Sequence, residues 1–218
     1  MQQLEELTFQ KFYHIYNRGI NGCDLFKVKE NYEYFLNLYD KHISPIADTF
    51  TWVLMRNHFH LLVRIKEEGE IKKPEGLLPP NLTGFENLSG LRSPSGFKSP
   101  KPHQYFSNLF NAYAKGFNKT YGRHGALFER PFKRKEITDI DYFKTVVVYI
   151  HNNPVHHGFT EYAMDYPWSS YLTCISIKPT HLEREEVIGW FDNEANFKSA
   201  HDNRDDATDF ENWLGLHP

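Results

Sequence analysis

Two short stretches carry residue types that can do chemistry at spacings that let them act together. In NHFHLLV (57–63), His58 and His60 stand two apart in a run that reads as a buried strand. Successive strand side chains alternate faces, so both imidazoles point one way while Phe59 and Leu61 point the other. Two imidazoles on one face can share a metal ion, although an HxH pair alone more often packs or hydrogen-bonds than binds one. In YIHNN (149–153), Tyr149 and Asn153 stand four apart in a stretch that reads as a helix, which puts both on one face. Two neutral imidazoles and the Asn153 carbonyl oxygen make three protein ligands for a divalent cation and leave positions open for the oxygens of a phosphodiester. Tyr149 is then the candidate nucleophile. A phenol with an ordinary pKa of about 10 needs activation by a metal, a base or a nearby cation. A phenolate is also a fair leaving group, so a phosphotyrosine would be a reversible intermediate that stores the bond for rejoining.

The elements that must position these residues are legible in outline. FYHIYNRG (12–19) has strand content and ends at Gly19, where Asn17, Arg18 and Gly19 form a turn; VKENYEYFLNLYDKHI (28–43) spaces Tyr32, Phe35, Leu36 and Tyr39 as a helix does. ADTFTWVLMRN and HFHLLVRIK read as two strands meeting at Arg56-Asn57, in a tight turn or as one long bent strand. Strand, helix, strand, strand opens a ferredoxin-like sheet. Residues 68–102, rich in Pro, Gly and Ser, read as a mobile insertion. A helix resumes near His103, with Phe106, Leu109, Phe110, Tyr113 and Phe117 as its apolar stripe and Gly122 as its stop. FKRKEI (132–137) alternates like an edge strand with its basic side chains on one face. TDIDYFKTVVVYIHNNP follows as a helix capped by Thr138 or Asp139 and stopped by Pro154. The expected fold class is α+β: a ferredoxin-like core with a central antiparallel sheet and flanking helices over 1–157, then a mostly helical, acidic appendage over 158–218, with Trp168 as its anchor.

Composition bounds the rest. The 218-residue chain is 40% hydrophobic and 24% charged, the profile of an ordinary globular protein. It has no apolar run of the roughly 20 residues needed to span a bilayer and a polar, acidic N-terminus, so the expected location is the cytoplasm, at the nucleoid when bound to DNA. Only Cys23 and Cys174 are present, so a metal must use histidine and oxygen ligands. Net charge is −3, but residues 89–135 carry ten Lys/Arg against the single acid Glu129, whereas the chain from Gly158 onward carries twelve acids against four bases. A basic middle and an acidic tail predict a polyanion-binding face plus a region that stays off it. Arg18, Lys115, Lys119, Arg123, Arg130, Lys133, Arg134 and Lys135 are the candidate contacts to a nucleic-acid backbone. Tyr121 and Phe128 suit either base stacking or the core.

Taken in order, YHIYNRG, NHFHLLV, FNKTYGRHGALFERPFK, YIHNNPVHHG and PWSSY, which span about residues 12 to 171, resemble the single-tyrosine HUH transposases of the insertion-sequence-200-like group, and within it the REP-associated tyrosine transposases. By this resemblance His58 and His60 match the HUH metal ligands, Tyr149 the nucleophile, and Asn153 the third-ligand position, which is Gln in part of the family. The implied activity is transposase-type cleavage and strand transfer of single-stranded DNA beside a hairpin, leaving a 5′-phosphotyrosine and a free 3′-hydroxyl, with Mg²⁺ or Mn²⁺ as cofactor. Imidazole ligands favour transition ions, so Mn²⁺ is expected to serve at least as well as Mg²⁺. The insertion and the acidic tail depart from the family's pattern. Competing readings are a replication initiator or relaxase with the same chemistry, and a non-catalytic hairpin-binding module on the same fold. His14 and His151 are further candidates for ligation. His151 lies roughly 200° round the helix from Tyr149 and is read as packed or hydrogen-bonded, and His156 and His157 as exposed. Monomer or homodimer, and a tyrosine acting within its own subunit or across a dimer, both stay open.

Overall fold

The computed structural model describes residues 5–71 and 101–202. Its elements run β1 (Phe12–Arg18), α1 (Lys29–His42), β2 (Ala47–Met55), β3 (His58–Ile65), α2 (Pro102–Tyr121), β4 (Lys133–Ile137) and α3 (Ile140–His156), followed by the short helices α4 (Tyr171–Cys174), α5 (Arg184–Trp190) and α6 (Glu194–Asp202). The four strands form one antiparallel sheet in the order β2-β3-β1-β4, the ferredoxin-like arrangement expected from the element order. β2 and β3 are a hairpin that turns at Arg56-Asn57. The expected insertion falls largely outside the described residues.

Strand alternation sorts the sheet into two faces. Tyr13, Ile15, Phe59, Leu61, Val63 and Ile65 point to one side, where α1 and α2 cover them with Phe35, Phe106, Leu109, Phe110, Tyr113 and Phe117. The α2 stripe is therefore core, as its period predicts, and Phe128, 5% exposed, joins it instead of offering a stacking surface. The helix ends on Gly122, whose φ of 61° is the left-handed turn that glycine allows without strain.

The other face carries Phe12, His14, Tyr16, His58, His60 and Leu62, and α3 lies against it. Asp139 caps α3 by accepting the Asp141 N–H through its side chain. Pro154 does not stop the helix. α3 runs through it to His156, because a proline near a C-terminus forfeits only one amide bond, and the last turn closes through His157 N–H to Asn153 O and Phe159 N–H to Pro154 O. The helices after residue 158 share α3's core: Tyr171, Val187, Phe191 and Phe197 pack with Phe50, Val53, Val146 and Ile150. Residues 168–170 also lie along the outer edge of β2, through Leu54 N–H to Trp168 O and Ser170 N–H to Trp52 O, and Trp168 stacks on Tyr32 at 4.3 Å. No helix among the described residues is long and apolar enough to cross a membrane.

Candidate active site

His58 and His60 leave β3 on the α3 side of the sheet, and α3 brings Asn153 and Tyr149 down onto them. The Asn153 Oδ1 lies 2.8 Å from His58 Nε2, and the Tyr149 ring meets His60 edge-on at 5.4 Å between centroids. The one-turn spacing on α3 is what delivers both: Asn153, 1% exposed, reaches the first histidine, and Tyr149, 4% exposed, the second. The two imidazoles are 5.3 Å apart and nearly perpendicular. With metal–nitrogen bonds of about 2.1 Å, two imidazoles on one ion have centroids roughly 4.5–5.5 Å apart, so their placement suits a shared cation.

The proton inventory points the same way. Burial pushes the His58 pKa down to about 4 and that of His60 well below the ordinary histidine value; the neighbouring His157 pushes both the same way. Both rings are neutral at neutral pH, as metal ligands must be. A neutral imidazole has one N–H, yet His58 has an oxygen at each nitrogen: Asn57 Oδ1 2.8 Å from Nδ1 and Asn153 Oδ1 2.8 Å from Nε2. When Nδ1 donates to Asn57, the Nε2 and Asn153 lone pairs face one point, where a cation satisfies both. Asn153 Nδ2 is buried without a hydrogen-bond partner among the described residues. Among the described residues no three His, Cys, Asp or Glu side chains converge as a metal site. The donor set that fits is two imidazoles and one amide oxygen, suited to Mn²⁺ or Mg²⁺ with further positions left for substrate oxygens.

Two more histidines border this group: His14, a further candidate for ligation in the sequence, and His157, read there as exposed. His14, wholly buried on β1, lies with Nε2 3.0 Å from His60 Nδ1, and the exposed His157 ring lies 5.0 Å from His58. The strand register decides the first contact: Tyr16 pairs with His60 and His14 with Leu62, so His14 sits one same-face step along β1. A sequence shows the β1 alternation but not which rung of β3 each residue meets. His151 is elsewhere. Its Nε2 lies 2.7 Å from Thr51 Oγ1 and 2.8 Å from Ser170 Oγ, and its Nδ1 2.9 Å from His201 Nε2, a buried network that ties α3 to β2 and α6.

The basic candidates divide. Arg18 pairs directly with His58 across β1 and β3, and its guanidinium meets Glu129 at 3.3 Å. Lys133 and Lys135 pair with Tyr16 and His14, so all three cations share the site's face. Arg134, between the two lysines, points to the opposite face, where it donates to Glu5 O and covers the Phe132 ring. The reading of β4 as basic on one face therefore fails at Arg134, because a strand alternates. Lys115 and Lys119 are exposed on α2, on the far side of the sheet. Arg123 follows that helix and donates to Asn118 Oδ1, and Arg130 is exposed ahead of β4. Tyr121 donates its hydroxyl to Asn31 and lies under Lys27.

No protein-family model matches the chain, and no curated protein matches it. Among solved structures, one described as "Structure of the REP associates tyrosine transposase bound to a REP hairpin" is similar over 82% of this chain and 88% of that chain, with a TM-score of 0.55 and 15% sequence identity. At that identity the two share a fold, an antiparallel sheet flanked by helices.

Proposed function

We propose that this protein is a metal-dependent DNA strand-cleaving and strand-transferring enzyme of the single-tyrosine HUH class, related to REP-associated tyrosine transposases and acting on single-stranded DNA beside a hairpin. The observation that carries this reading is the convergence of His58, His60 and Asn153 with Tyr149 on one face of the sheet. The shared fold with a transposase bound to a REP hairpin adds the substrate class.

When bound by His58, His60 and Asn153, Mg²⁺ or Mn²⁺ supplies Lewis-acid polarisation of a phosphodiester and offsets charge that builds on its oxygens. Tyr149 does the covalent work. Its Oη forms a bond to phosphorus and gives up its proton, while the bond from phosphorus to the 3′ oxygen breaks and that oxygen takes up a proton as a free 3′-hydroxyl. The 5′ phosphate stays on Tyr149, and attack by another 3′-hydroxyl reverses the step and frees the phenol. Burial of Tyr149 against the His60 ring restrains the phenol, which lowers the entropic cost of in-line attack. Arg18, Lys133 and Lys135, on the same face, hold the approaching backbone.

The test is to incubate purified protein and Mn²⁺ or Mg²⁺ with labelled single-stranded DNA carrying hairpins from the sequence flanking its own gene, then resolve it on a denaturing gel. A protein–DNA adduct that disappears with Tyr149→Phe and with chelator is expected. Hairpin binding that is indifferent to chelator and to Tyr149→Phe, with no adduct, would instead support a non-catalytic binding module.

A further inference from the structure

Beyond the residues that would touch the cation or the DNA, the geometry points to His14 as a positioning residue: its Nε2 accepts a hydrogen bond from His60 Nδ1–H, which fixes His60 in the tautomer whose Nε2 lone pair can bind the cation. The inference rests on the proposed metal site. The two nitrogens are 3.0 Å apart while the ring centroids are 5.1 Å apart with planes 16° from parallel. What remains of the centroid separation is just the two ring radii, so both nitrogens lie on the line joining the rings. That is a directed hydrogen bond, not a face-to-face stack.

A neutral pair has two ways to make this bond. If His14 donates through Nε2, His60 carries its own proton on Nε2 and neither of its nitrogens is free for a metal. If His60 donates through Nδ1, its Nε2 is a free donor atom. His14 is wholly buried, with its Nε2 facing His60 Nδ1 along the line joining the two rings, where a neutral ring can accept. A bound cation selects the second arrangement, and by the same linkage an acceptor at His14 favours the cation. His58 has the matching device in Asn57 Oδ1, 2.8 Å from its Nδ1. Each proposed imidazole ligand is thus backed by its own acceptor, one an amide oxygen and the other a third histidine.

The tautomer is read directly in the unaltered protein by nitrogen-15 NMR of labelled histidines, with and without Mg²⁺, the rings being assigned from single His→Gln variants. The expected result is a proton on His60 Nδ1, an unprotonated His14 Nε2, and Mg²⁺-dependent shifts at Nε2 of both His58 and His60. In parallel, Mn²⁺ affinity is measured by calorimetry. His14→Leu, which has no acceptor, weakens binding by about 10- to 100-fold, and His14→Gln, which keeps a carbonyl oxygen, recovers most of it. Metal-dependent shifts with His14 Nε2 protonated, or parental Mn²⁺ affinity in His14→Leu, overturn the inference and leave the metal site standing. No response at either His58 or His60 removes the metal site, and the inference falls with it.

Discussion

Acid should unfold this protein through histidines that folding holds neutral. His14 is wholly buried with its pKa pushed down to about 3, and His201, 6% exposed, is pushed to about 4, in both cases by burial. An unfolded histidine titrates near 6.5, so between that pH and the folded value the unfolded chain binds protons that the native state refuses. Stability is therefore full above about pH 7 and falls as pH drops. Each such histidine costs about 2 kcal/mol between pH 7 and pH 5, and the two together about 4 kcal/mol, against typical total stabilities of about 5–15 kcal/mol. His58, His60 and His151, also pushed down by burial, act in the same direction. The assay is urea unfolding followed by tryptophan fluorescence at pH 7, 6 and 5 in the presence of chelator. At a slope of about 2 kcal/mol per molar urea, the midpoint should fall by at least about 2 M. His201→Phe fits among the Tyr171, Phe191 and Phe197 rings around that site. It should be less stable at pH 7 by about 1–3 kcal/mol, since His151 loses its partner, but should lose about 2 kcal/mol less on going to pH 5. A midpoint that does not move between pH 7 and pH 5 would refute the reasoning.

Other expectations follow from particular contacts. Phe197→Ala, at a fully buried ring shared by α6 and α3, should cost about 3–5 kcal/mol in chemical denaturation. Gly19→Ala should lower the melting temperature sharply, because the new Cβ would lie 1.9 Å from the Cys23 carbonyl oxygen, a backbone atom that cannot step aside. In salt titrations of single-stranded DNA binding, Lys133→Ala and Lys135→Ala should each reduce the slope by about 0.7. Arg134→Ala, on the opposite face, should leave the slope unchanged. An equal effect of all three would mean that DNA does not follow the site's face of β4.

What the sequence reveals follows the range of each signal. Alternation is local, so the shared face of His58 and His60 is legible, as are the helical stripes of α1 and α2 and the common face of Tyr149 and Asn153. The ferredoxin-like sheet is legible from the element order, strand, helix, strand, strand, although β1 and β2 are not neighbours in it. Register is not local, which is why the His14–His60 bond does not announce itself. Nor is the way residues after 158 complete the core of α3: Tyr171, Phe191 and Phe197 are scattered among polar residues with no sustained period. Pro154 is a case of a correct local rule applied too strictly, since a proline near a helix end gives up one bond and the remaining turn still closes. Arg134 is the reverse, a strand correctly anticipated with its alternation then set aside for a charge pattern.

The most direct test of the central claim is to locate the covalent bond. After cleavage in Mn²⁺, nuclease trimming and proteolysis, mass spectrometry of the peptides should find a nucleotide remnant joined through phosphate to Tyr149 and to none of the other tyrosines among the 13. The informative rival is Tyr16, whose ring lies 5.7 Å from that of His60. A remnant on Tyr16, or DNA recovered wholly free of peptide after efficient cleavage, would contradict the account.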